Sequence, residues 1–185
     1  MSSLWTGTRV RLRGVEPEDW QVFQGFAEHT GDMRAVDRVY PPRSARWFRE
    51  AATSRSTQVS ENLDLAIESR ETGHLVGSLS TAGVDRRAGR FSYGIGIGHQ
   101  YQRRGYAADA VGLLLRYMFG EQRFTKCEVK VYEFNEGSLA LHRSLGFTEE
   151  GRLRSHEFFG GKHWDAHLLG MTLPEFLDRW DFPEV

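Results

Sequence analysis

Residues 90–118 constrain this chain more than any other stretch. An alternating run over residues 90–97 ends at Gly98, and the loop Gln102-Arg103-Arg104-Gly105-Tyr106-Ala107 follows shortly after. Ala107, Ala110, Val111, Leu114 and Met118 then recur at helical spacing, so the pattern predicts strand, loop, helix. A loop entering a helix points unpaired backbone N–H groups outward, and the helix dipole adds partial positive charge there. Such a place suits a phosphate or pyrophosphate. Gly105 permits close backbone approach, Ala107 keeps the helix start bare, and Arg103 and Arg104 can donate to phosphate oxygens. An ordinary surface loop with a turn glycine has the same six residues, so the loop alone leaves both readings open. It is not a P-loop, since GxxxxGK is missing, nor a dinucleotide fingerprint, since no GxGxxG opens the helix.

The strand before the loop carries a second signal. Gly94, Gly96 and Gly98 share one face, and Tyr93, Ile95 and Ile97 share the other. Strand glycines cost stability unless something needs the space. A ligand lying on the sheet, a bulge, or a helix packed tightly there would each use it.

The rest of the chain has no repeat, low-complexity tract or linker. Residues 8–14 alternate, with Arg9, Arg11 and Arg13 opposite Val10 and Leu12, which predicts a half-buried first strand. Pro17 suits a first helical turn ahead of Trp20, Phe23, Phe26 and Ala27. Ser44 can cap a second helix burying Trp47, Phe48 and Ala51. Runs at 63–69, 75–82 and 90–97, joined by short Gly-containing turns, read as an antiparallel meander. After the central helix come a strand at 126–134 and a short helix opened by Asn135 and closed by Gly146. A hairpin of 152–159 with 162–171 and a short terminal helix from Pro174 to Trp180 complete the chain. The order predicts a mixed α/β sheet with helices on both faces.

Composition narrows the partners. The 185 residues, 39% hydrophobic and 12% aromatic, are enough for one packed domain spanning 1–185. A net charge of -1 offers no footprint for nucleic acid. Cys127 is the single cysteine and cannot form an internal disulfide. The first residues lack an apolar targeting core, and no run of about 18 apolar residues occurs. The expectation is a cytoplasmic protein without membrane or nucleic-acid partners, a monomer or homodimer.

The loop, together with Asn135-Glu136-Gly137-Ser138 and Leu145-Gly146-Phe147, resembles the GNAT superfamily of N-acetyltransferases. That family's pyrophosphate loop carries Gln or Arg, then Gly three residues on and Gly or Ala two further, matched by Gln102, Gly105 and Ala107. The later pattern, with residues 149–154, is similar to the RimJ/RimL branch, which acetylates ribosomal-protein N-termini; related members act on polyamines, antibiotics and other small amines. The resemblance implies a single domain whose mostly antiparallel mixed sheet splays between its fourth and fifth strands. Acetyl-CoA would lie there as cosubstrate, its pantetheine along Ile95, Gly96 and Ile97 and its pyrophosphate on Gln102, Arg103, Arg104, Gly105, Tyr106 and Ala107. Asn135 would reach the pantetheine arm, Ser138 would also bind the cofactor, Arg143 would approach the distal phosphate, and the Ile97 backbone N–H would polarise the thioester carbonyl.

The catalytic positions depart from the family. Its strand glutamate falls on Ser92, and its tyrosine acid, seven residues after Asn135, falls on His142, a candidate general acid. Glu28, His29 and Asp32 either line the acceptor side or are solvated surface groups. His163, Asp165 and His167 share a strand face, where an acceptor-pocket or surface role and metal ligation both fit; with no cysteine partner or fourth ligand, no metal is expected. Cys127 sits with Val129 and Val131 as core rather than nucleophile. The function implied is direct acetyl transfer to a peptide N-terminus, polyamine or small-molecule amine. The alternative from another class is a non-catalytic acyl-CoA-binding module.

Overall fold

The computed structural model describes residues 3–36 and 39–182. Its strands are β1 Val10–Gly14, β2 Asp64–Ser69, β3 Leu75–Asp85, β4 Arg90–Ile97, β5 Lys126–Tyr132, β6 Thr148–Phe159 and β7 Lys162–Thr172. Its α-helices are α1 Trp20–Phe26, α2 Thr30–Val36, α3 Ala45–Thr57, α4 Tyr106–Arg116, α5 Glu136–Leu145 and α6 Leu173–Leu177. The strands form one mixed sheet in the order β1-β2-β3-β4-β5-β7-β6. It is mostly antiparallel, as the alternating runs and short turns predict. The parallel exception is β4 with β5, whose pairing covers Arg90, Phe91 and Ser92 against Lys126, Cys127 and Glu128. It goes no further, although both strands continue. Among the described residues no helix is long and apolar enough to cross a membrane.

The chain divides into two compact units. The amino-terminal unit comprises the chain up to Thr81 together with Gly94–Leu113. In β1, Val10 and Leu12 are buried while Arg11 and Arg13 point to carboxylates. Arg13 donates to both oxygens of Asp19 at 2.8 and 2.9 Å and to Glu68 at 2.8 Å. Asp19 itself belongs to the capping box that starts the Pro17–Asp19 turn. Val15, Ala66 and Leu75 form a small core under Val22 and Phe23 of α1. Ser44 caps α3 by accepting from the Trp47 N–H at 3.2 Å. The buried face of α3, however, is Phe48 with Ala52 rather than Trp47 with Ala51. Trp47 is 42% exposed, and the Arg43 guanidinium lies 3.9 Å from its ring centroid.

The carboxy-terminal unit comprises Ala82–Tyr93 and the chain from Leu114 onward. Cys127, Val129 and Val131 of β5 are buried, as are Leu169 and Met171 of β7, and the buried rings of Phe91, Phe119, Phe124 and Phe176 pack on one another. The last turn after α4, Tyr117–Glu121, is π-helical. β6 begins at Thr148, earlier than its sequence pattern suggests, because two register shifts against β7 break its alternation. At the second shift Ser155 takes φ 50°, and its N–H donates to Asp165 at 2.7 Å.

Candidate active site

In the amino-terminal unit, the turn His99–Tyr101 links β4 to the loop ahead of α4. One side chain fixes the start of that loop. The Gln102 amide donates to the Ile97 carbonyl at 3.1 Å and to Asp32 Oδ1 at 3.0 Å. Asp32 Oδ2 accepts the His99 N–H at 2.8 Å. The loop then bends through two left-handed residues, Arg103 at φ 60° and Gly105 at φ 78°. A side chain at Gly105 would also meet the Arg9 side chain, 3.0 Å from the position of its first carbon. Among the described residues, no protein acceptor pairs with the backbone N–H groups of residues 103–107. Arg103 and Arg104 are exposed beside them, and Tyr106 is buried with its hydroxyl 3.4 Å from Ser69 Oγ. Unpaired N–H groups at a helix start, arginines and a bare Ala107 are what an anion such as pyrophosphate needs.

Asp109 was not singled out by motif reasoning. Its carboxylate accepts the N–H groups of Thr8, Arg9 and Val10 at 3.2, 2.6 and 2.9 Å, which fixes the first turn of α4 against the entry to β1. The sequence signal was an acidic residue in a helix's first turn, which spacing alone cannot assign to a distant backbone. Of the glycine face, Gly94 has nothing within 4 Å of where a side chain would start. At Gly98 that space is taken by the Phe26 ring. Ile95, Gly96 and Ile97 are half-buried at the end of β4. Glu28 and His29 are exposed, while Asp32 is engaged as described.

In the carboxy-terminal unit, Asn135 caps α5 by accepting the Ser138 N–H at 3.0 Å, and Gly146 ends the helix at φ 100°. Its amide oxygen therefore serves the helix. Arg143 is exposed and lies 3.3 Å from Glu149. His142 is 3% exposed, and both ring nitrogens are engaged. Nδ1 lies 2.8 Å from the Ser138 carbonyl, which can only accept, so Nδ1 carries the proton. Nε2 is then the acceptor for the Tyr93 hydroxyl at 2.8 Å. Burial lowers the His142 pKa below its ordinary value, and burial holds the Tyr93 hydroxyl protonated. A buried neutral pair results. The alternation places Tyr93 on the strand face opposite the glycines, and nothing in its spacing points to this partner.

Ser92 is half-buried and pairs across the parallel ladder with Glu128, whose carboxylate is 3.1 Å from Arg90. Cys127 is fully buried, and burial raises its thiol pKa well above the usual range. His163, Asp165 and His167 do not converge. Asp165 is held by Arg152 at 2.6 Å and by the Ser155 N–H, and His163 packs on the Phe158 ring. His167 Nδ1 is 3.1 Å from Glu149 without hydrogen-bond alignment. Among the described residues, the imidazole–carboxylate group that does converge is His29, Asp32 and His99.

Comparison with known proteins adds relatives. Residues 9–148 match the sequence model of the acetyltransferase (GNAT) domain. An uncharacterized N-acetyltransferase of a Bacillus subtilis prophage is 34% identical over 93% of this chain and 94% of its own. The spermidine N(1)-acetyltransferase of Escherichia coli is 27% identical over 94% of this chain and 91% of its own. Among solved structures, the spermidine N-acetyltransferase of Vibrio cholerae in complex with CoA and spermine superposes with a TM-score of 0.79. It is 20% identical and is matched over 91% of this chain and 98% of that one.

Proposed function

We propose, from the premise that this chain belongs to the acetyltransferase (GNAT) family, that it transfers an acetyl group directly onto a small primary amine. It is an acetyl-CoA-dependent acyltransferase. The observation that carries the reading is the set of unpaired N–H groups at residues 103–107, bent outward by Arg103 and Gly105 and anchored through Gln102 and Asp109. Acetyl-CoA supplies an acyl group activated as a thioester. Residues 103–107, with Arg103 and Arg104, would hold its pyrophosphate, and the end of β4 would offer backbone to its pantetheine. In the transfer the amine nitrogen bonds to the carbonyl carbon, the C–S bond breaks, the amine loses a proton and the thiolate gains one. Burial keeps Cys127 as an uncharged thiol, which supports transfer without an acyl-cysteine.

The finer assignment to a RimJ/RimL-like enzyme of peptide N-termini has less support than a free amine. Relatives named for spermidine put a polyamine first in the panel to be screened. N-terminal peptides and amine-bearing antibiotics follow.

Two measurements test this reading. Acetyl-CoA at about 100 times its Kd should stabilise the protein by roughly 2.7 kcal/mol. Gly105→Glu, which puts bulk and negative charge among the free N–H groups, should remove most of that gain; an undiminished thermal shift would refute the loop assignment. Cys127→Ala should keep near-normal turnover, and initial-rate lines for acetyl-CoA and amine should intersect. Parallel lines with a trapped acetyl-cysteine would replace direct transfer by a covalent route.

A further inference from the structure

We propose that His29, Asp32 and His99 form a binding site for a single zinc-like divalent cation, next to the loop but separate from its free N–H groups. Each offers one ligand atom, and the three atoms lie within 4.8 Å of one another. His29 Nδ1 and Asp32 Oδ1 are 3.4 Å apart. Zinc bonds to nitrogen and oxygen are roughly 2.0–2.2 Å, so two donors on one tetrahedral ion stand about 3.4 Å apart. Two imidazoles and a carboxylate are a donor set of borderline softness, suited to zinc and not to magnesium or calcium.

The surroundings supply what an isolated surface cluster lacks. Asp32 is oriented from outside by the His99 N–H at 2.8 Å and the Gln102 amide at 3.0 Å, as metal-binding carboxylates are held by outer partners. Those two donors leave further lone pairs on the carboxylate for an ion. The Asp32 N–H donates to His29 Nδ1 at 3.2 Å, so that nitrogen carries no proton, and an ion bound there would take the place of this hydrogen bond. The rings of His29 and His99 are stacked, with centroids 4.2 Å apart and planes 17° from parallel. Ligation needs both nitrogens in plane with the ion, so one ring must turn out of the stack. Both side chains are exposed, which leaves room for that rotation. The ion would tie the start of α2 to the His99–Tyr101 turn from which the loop departs.

The test is titration of the full chain with zinc chloride, followed by calorimetry, without acetyl-CoA or amine. One ion per chain should bind saturably. His29→Ala/His99→Ala should weaken binding by at least about 10–100-fold, the range already seen for losing an outer partner. His74→Ala, another exposed histidine, should leave it unchanged. Cobalt in place of zinc should give the visible absorption of a site with imidazole ligands in the unaltered protein, which needs no variant to fold. Absence of saturable one-ion binding, or full affinity in the double variant, would overturn the proposal. Normal acetyl-CoA binding in a protein that ignores zinc would overturn this site while leaving the acyltransferase reading intact.

Discussion

His142 shows how far one residue can be read from its place in a pattern. Counting from Asn135 puts it where the family carries a proton donor, and that count says nothing about the ring's surroundings. Here the ring is a buried neutral acceptor for Tyr93, with its own proton committed to the Ser138 carbonyl. A positioning role for Tyr93 and the start of α5 fits this better than an acid role. The consequence appears in pH. The free imidazole has an ordinary value of 6.5, and burial lowers it in the folded protein. As pH falls below about 6.5 the unfolded chain takes up a proton that the folded one resists, so stability is full above that window and declines beneath it. Denaturation measured from pH 7.5 to 5 should show this decline, and His142→Phe should flatten it. The same variant should keep the alkaline limb of the kcat profile. Loss of that limb would restore the acid role.

At the scale of elements, strands were more legible than helices, for a physical reason. Period-two alternation marks a buried face with no choice of side, so β1 and β4 fall where Val10, Leu12, Phe91 and Tyr93 put them. On α3, Trp47 with Ala51 and Phe48 with Ala52 are neighbouring rows of the same helix. Spacing cannot say which row meets the core. α2 was not anticipated because its sequence, Thr-Gly-Asp-Met-Arg-Ala-Val, has no apolar stripe. Asp32 ties it to His99 and Gln102, and such polar contacts leave no periodic trace. The glycine face was legible as a face but not as a single cause. Gly98 yields its space to the Phe26 ring, whereas Gly94 faces none. Gly98→Val should therefore cost about 1–3 kcal/mol through overpacking. Gly94→Val should leave stability within about 0.5 kcal/mol or improve it, since valine suits a strand. If pantetheine runs along this face, Gly94→Val will still weaken acetyl-CoA binding. Chemical denaturation beside acetyl-CoA titration separates the two, and equal stability losses at both positions would contradict the packing argument.

The whole molecule carries 24 Lys and Arg against 25 Asp and Glu, and several of these charges pair with one another. Arg152 with Glu133 and Asp165, Lys126 with Glu128 and Glu150, and Arg11 and Arg13 with Glu68 are examples. Such pairs add little to stability at the surface, but they cancel the field that a distant solute would feel. Screening in ordinary buffers further confines any remaining field to about 10 Å. A polycationic amine would thus be captured by contacts at the site and not drawn in from solution. The expected result is a kcat/KM for spermidine that falls by less than about threefold between 50 and 300 mM salt, because no net field is there to be screened. A fall of tenfold or more would place a dense local cluster of carboxylates around the acceptor, contrary to the even mixing of charge along this chain. The comparison is made with a neutral-tailed amine of similar length, so that salt effects on acetyl-CoA binding cancel. A steep slope for spermidine alone would then identify the polyamine as the substrate for which the site carries its charge.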